Sequence, residues 1–217
     1  MDRRGEPRII LERERLVVVD KPPGMLSVPG KGPDKGDCVI SRVAERFPDA
    51  SGPMVVHRLD MDTSGLMVLG LDAPTQRALS MQFESRTVAK RYVALVHGSV
   101  APDEGVIDLP MRLDVDHRPI QIIDHERGRA ARTRWRVLAR EIDRTRVQFE
   151  PLTGRTHQLR VHAATPRDVG GLGCPIIGDV LYGHDDGAPR LMLHACRLSF
   201  VDPGSGRRID VESPPPF

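Results

Sequence analysis

The chain has 217 residues, 39% of them hydrophobic and 29% charged, with a formal net charge of +2. That length suits one domain or two small lobes with a substantial core, and the composition is that of a soluble globular protein. No apolar run approaches the roughly 18 residues of a membrane span. The start Met1–Glu6 lacks a secretory core, and Cys38, Cys174 and Cys196 are too far apart for a disulfide framework or a cysteine-rich zinc site. A cytoplasmic protein is expected.

Residues 9–20 end in the buried-strand run Leu16-Val17-Val18-Val19, which Lys21-Pro22-Pro23-Gly24 breaks. Gly30–Gly36 reads as a polar loop. Val39, Val43 and Phe47 share one helical side, and Pro48 stops that helix. A strand is expected over Gly65–Leu71, then a helix over Pro74–Glu84 with Asp72 as its N-cap. From Arg86 the pattern turns to β. Val88–Val96 alternates, and Ala130–Leu138 places Thr133, Trp135 and Val137 on one face and Arg132, Arg134 and Arg136 on the other. Thr145–Glu150 can pair with that strand through a turn near Glu141–Arg144. Thr156–Ala164 reads as a helix, Leu191–Val201 and Arg208–Val211 as strands, and Ser213–Phe217 as a loose tail. Strands outnumber helices without regular alternation. The expected fold class is α+β, a mixed, mainly antiparallel sheet flanked by helices and loops, in one domain over residues 1–217.

Two polar clusters carry the chemistry. His57-Arg58-Leu59-Asp60-Met61-Asp62-Thr63-Ser64-Gly65 precedes the apolar run Leu66–Leu69, so reactive groups stand at the mouth of a buried strand. A plain turn also uses Asp, Thr, Ser and Gly, yet has no need of His, Arg and Asp in succession. The second cluster is Thr153-Gly154-Arg155-Thr156-His157-Gln158-Leu159-Arg160. Its His157 and His162 are five apart with no glutamate between them, so no metal site is expected. Arg160 beside a buried carboxylate would keep that acid ionised; a structural ion pair would read the same.

Only four basic residues are lysine, leaving 28 arginines. Arginine's planar fork suits phosphates and base edges, and a GC-rich genome gives the same bias. The Arg132, Arg134, Arg136 face is accordingly a phosphate stripe or a solvated edge. Tyr92 is a core aromatic or one of the few rings able to stack on a base.

The first cluster resembles the HRLDxxTSG signature of the RluA family of pseudouridine synthases. Leu16–Gly24 resembles the family's opening strand and KPxG turn, Lys90–Ala94 its tyrosine motif, and Gly154–His162 its GRxHQLRVH motif. Pro175–Asp179 with Leu181–Gly183, and Arg190–Ala195, resemble the remaining blocks, so the likeness covers nearly the whole chain. Leu26–Gly30, Asp108–Pro110 and Arg118-Pro119 resemble the member that gives the family its name. The resemblance implies the pseudouridine synthase fold with a central RNA-binding cleft. It also implies an enzyme that isomerises uridine in rRNA or tRNA stem-loops without metal or cofactor, as a monomer and away from membranes.

By matching position, Asp60 is implied as the catalytic aspartate, Tyr92 as the ring on the target base and Arg160 as the partner of Asp60. Arg58 is implied to hold the flipped nucleotide and Leu193 to touch the base. His57, Arg155, His157, Arg132 and Arg134 complete the expected substrate contacts. Two departures stand out. Ala163–Cys174 is longer than the family pattern, and Cys174 replaces a usual histidine. With no room before residue 9 for an S4-type domain, recognition is expected from the catalytic domain itself. Two rivals are an idle RNA-binding module, which has no need of a paired carboxylate, and a glycosidase using Asp60 and Asp62, which nothing else supports.

Overall fold

A computed structural model describes residues 5–30, 32 and 35–217. The expected Gly30–Gly36 loop includes Lys31, Pro33 and Asp34, which lie outside the described residues. The chain forms two compact units. The first runs to Lys90 and resumes at His194–Pro216; the second is Arg91–Leu193 with Phe217.

In the first unit, β1 (Arg8–Arg13) and β2 (Leu16–Lys21) form an antiparallel hairpin, and β2 pairs antiparallel with β3 (Ser64–Gly70). The expected buried-strand run Leu16–Val19 lies in β2, and β1 precedes it across Glu14-Arg15. Leu16–Val19 and every residue of β3 are buried, as befits strands covered on both faces. β3 pairs in parallel with β10 (Leu193–Val201), which pairs antiparallel with β11 (Arg208–Glu212). Helix α1 (Val39–Arg46) starts at a Cys38 cap that accepts from Ser41 N. Helix α2 (Ala73–Glu84) starts at Asp72, whose carboxylate accepts from Thr75 N at 2.7 Å. Leu79 of α2 joins Leu16, Val18, Leu66, Val68, Leu198 and Phe200 in one core.

In the second unit, β4 (Ala89–His97), β9 (Arg144–Pro151), β8 (Arg132–Arg140) and β5 (Glu104–Asp108) run antiparallel in that order. A separate hairpin joins β6 (Met111–Leu113) to β7 (Gln121–Ile123). Helix α3 (Gln158–Ala164) is buried from Gln158 to Ala163, and Leu159 enters a core with Val147, Phe149, Ile176 and Leu193. The longer segment after α3 folds back on it: Leu172 N donates to His162 O and Cys174 N to Ala163 O, both at 2.9 Å. Cys174 fills that core as a small apolar side chain. The fold is α+β and mainly antiparallel, as expected.

The segment expected as a loose tail lacks regular structure but is anchored. Ser213 is buried, its hydroxyl donates to Asp20 Oδ2 at 2.6 Å, and its carbonyl accepts from His194 Nε2 at 3.1 Å. In the second unit Arg146 Nη1 donates to Phe217 O at 2.8 Å. No helix among the described residues is long and apolar enough to cross a membrane.

Candidate active site

Residues 54–57 run beside the end of β3, where Val55 bridges Leu69 and Gly70 N donates to Met54 O. His57 continues that edge with its side chain: Nε2 accepts the Val68 N–H at 3.1 Å, and the ring stacks on Phe83 at 4.4 Å. Burial, and secondarily the charge of Lys90, hold its pKa down to about 3. His57 completes the strand edge as a neutral imidazole.

The chain then leaves the edge through Arg58, exposed, and Asp60, half-buried. Neither side chain takes a hydrogen bond or ion pair among the described residues. The backbone beneath them is held tightly. Lys21, fully buried, donates from Nζ to the carbonyls of Pro22, Met25 and Met61, the last at 2.7 Å. Ser27 Oγ bonds both the carbonyl and the N–H of Leu59. Thr63 N closes the loop on Asp60 O at 3.2 Å. Thr63 Oγ1 is the one buried side-chain polar atom among the described residues with no partner. Gly65, at φ +116°, has to be glycine because a Cβ there would strike the backbone of Ala195. Beside it Ser64 Oγ donates to His194 Nδ1 at 2.8 Å, since His194 Nε2 carries the proton given to Ser213 O.

The second cluster is organised by Gln158. Its Oε1 accepts from Thr153 Oγ1 and Arg155 N, and its Nε2 donates to Arg132 O and Thr133 Oγ1. His157 sits at φ 56° and its Nδ1 accepts from the Tyr182 hydroxyl at 2.6 Å, which in turn accepts from Gln121 N. Arg155 Nε donates to Ala130 O. The Arg160 fork goes to Asp179, Nε to Oδ2 at 2.9 Å and Nη2 to Oδ1 at 2.6 Å, with the Tyr182 ring 5.3 Å from the guanidinium. Tyr92, half-buried on β4, packs against the core that contains Leu193. His162, wholly buried, accepts from Thr133 Oγ1 and donates to Leu109 O, and burial lowers its pKa to about 4.

The arginine face of β8 is less free than the sequence suggested. Arg132 lies 3.5 Å from Asp108, and Arg136 donates to Gln148 Oε1 at 3.0 Å. Arg134 stands between Val106 and Glu150 across its neighbouring strands and has no polar partner among the described residues. Three His, Cys, Asp or Glu side chains placed to hold a metal ion are not found among the described residues.

Asp60, Arg58 and His57 thus belong to the first unit, and Tyr92, Arg132, Arg134, Arg155, His157, Arg160 and Leu193 to the second. Lys21, Ser27, Gln158, Asp179 and Tyr182 carried no assigned role in the sequence reading. All five lie within the segments that carry the resemblance, and their work is done on backbone groups or distant side chains.

A family model described as RNA pseudouridylate synthase matches residues 15–165, which hold the first cluster, Tyr92 and Arg160. The chain belongs to the RNA pseudouridylate synthase family. The synthase is 43% identical over 202 residues to a dual-specificity RNA pseudouridine synthase RluA of Yersinia pestis, covering 91% of this chain and 94% of that one. It is 40% identical over 213 residues to the protein of that name from Escherichia coli K12, covering 96% and 93%. Among solved structures, human RNA pseudouridylate synthase domain containing 1 superposes with a TM-score of 0.78 at 28% identity, over 98% of this chain and 84% of that one. The synthase is therefore an isomerase that converts uridine to pseudouridine in RNA.

Proposed function

We propose that Asp60 is the catalytic carboxylate of this synthase, and that its substrates are stem-loops of rRNA, tRNA or both. The observation that carries the reading is the Asp60 loop itself. The main chain is held at Leu59, Asp60 and Met61, while the Asp60 carboxylate and the neighbouring Arg58 guanidinium have no partner among the described residues. A rigid support under uncommitted charged groups suits a reaction site. Relatives named as dual-specificity enzymes support more than one RNA substrate.

The isomerisation breaks the bond from ribose C1′ to uracil N1, turns the base and joins C1′ to C5, with the C5 proton lost and a proton gained at N1. Asp60 serves it by attacking C1′ or by taking a sugar proton; either route uses an ionised carboxylate. The uridine leaves its stack at a cost of a few kcal/mol, and stacking on Tyr92 returns about 1–3 kcal/mol. Arg58 holds the flipped nucleotide, and Leu193 supplies apolar contact to the base. Arg155 and Arg134 contact phosphate. Arg160, with its fork on Asp179, is the guanidinium of the catalytic set. The enzyme works as a monomer, without metal or cofactor.

The test uses the purified chain with rRNA-fragment and tRNA transcripts carrying 5-tritiated uridine. Release of tritium at discrete uridines of either RNA is expected. Tight RNA binding with no release from either would leave an idle binding module instead.

A further inference from the structure

We infer that Ser27 is a positioning residue for the Asp60 carboxylate, an inference that rests on the assignment of Asp60 as catalytic. Ser27 is 3% exposed, and its single hydroxyl both donates to Leu59 O at 2.7 Å and accepts the Leu59 N–H at 3.0 Å. One side chain thereby does for Leu59 what a neighbouring strand would do. The following carbonyls are held as well: Asp60 O by Thr63 N at 3.2 Å, and Met61 O by Lys21 Nζ at 2.7 Å. Three successive peptide units are fixed by three separate donors, so the Asp60 carboxylate moves chiefly through its own two side-chain torsions.

Ser27 is itself anchored. Leu26 bridges Cys38, and Val39 N donates to Leu26 O at 2.9 Å, which ties the residue before Ser27 to the first turn of α1. Lys21 Nζ bonds Met25 O at 2.8 Å and draws the intervening turn closed. Met67 Sδ of β3 lies 3.5 Å from the hydroxyl on its other flank. The position of α1 is thus passed through one hydroxyl to the residue before Asp60. Alanine at 27 would leave both Leu59 groups buried and unsatisfied, and the loop would shift to rehydrate them. A displacement near 1 Å at a reacting group costs on the order of 100-fold in rate.

The test compares Ser27→Thr with Ser27→Val, which share a shape and differ in the hydroxyl, alongside Ser27→Ala and the core variant Leu198→Ala as a stability control. Turnover on 5-tritiated uridine RNA, RNA affinity and melting temperature are measured for each. Ser27→Ala and Ser27→Val are expected to lose about 10–100-fold in kcat. RNA affinity stays within about twofold, and Ser27→Thr keeps most of the rate. If Ser27→Val turns over as fast as Ser27→Thr, or loses no more than Leu198→Ala at equal melting temperature, the positioning role is wrong. Asp60→Asn in the same assay separates the two ideas. Turnover in that variant overturns the Asp60 assignment whatever Ser27 does. A dead Asp60→Asn beside a fully active Ser27→Val overturns only the role of Ser27.

Discussion

Arg160 and Asp179 form a buried, two-point ion pair, with side chains 3% and 1% exposed. Asp179 Oδ1 also accepts from the backbone of Leu181 and Tyr182, so the carboxylate ties α3 to the turn that carries Tyr182. Removing the charge of one partner strands the other in the interior. Asp179→Asn is expected to cost about 3–5 kcal/mol in denaturant unfolding. A loss below about 1 kcal/mol, the range of exposed pairs, would show that the pair is solvated.

His57 predicts an acid-side loss of stability. Its pKa is held down to about 3 in the fold, while an unfolded histidine titrates near 6.5. Above about pH 6.5 both states are neutral and the contribution is fully present. As pH falls from there toward 3, the unfolded chain takes up a proton the fold refuses, and stability drains away. With the ring half-buried, the loss between pH 7 and 5 is on the order of 1 kcal/mol. His162, lowered to about 4, adds to it in the same direction. Unfolding of the wild type and of His57→Gln at both pH values checks this; an equal drop in the two proteins would clear His57 of the effect.

Thr63 offers a stabilising change. Its hydroxyl is buried without a partner, and such a group costs about 1–3 kcal/mol. Thr63→Val keeps the shape and is expected to raise the melting temperature. A fall would mean that the hydroxyl is bonded in solution.

The arginine face should behave as two free cations and not three, because Arg132 faces the Asp108 carboxylate while Arg134 and Arg136, the latter bonded to the neutral Gln148, keep their charge. Arg134→Ala with Arg136→Ala should reduce the salt slope of RNA affinity by about 2, and adding Arg132→Ala should change it little further. A slope unaltered by all three would leave the face as a solvated edge.

The elements with strong periodicity or a cap were legible in the sequence. Asp72 capped α2, Pro48 followed α1, and the alternation of Thr133 and Trp135 with arginines marked β8. Strands β5, β6 and β7 were not, since β6 and β7 have three residues each and β5 buries only Ile107. The β1–β2 turn leaves no mark in the sequence because Glu14-Arg15 contains no turn former. Within the site, Asp60 and Arg58 stood out by residue type. The supports could not, since a bond from Ser27 or Lys21 to a peptide group imposes no pattern on the partner's side chain. The choice of Asp179 as the partner of Arg160 is likewise tertiary, made across 19 residues.

The central claim is that the Asp60 carboxylate does the chemistry, and Asp60→Asn tests it most directly. The variant keeps the size of the side chain and removes its charge. Tritium release from 5-labelled uridine RNA is predicted to vanish while RNA affinity stays within about twofold of wild type. Release at the wild-type rate from a correctly folded Asp60→Asn protein would contradict the account.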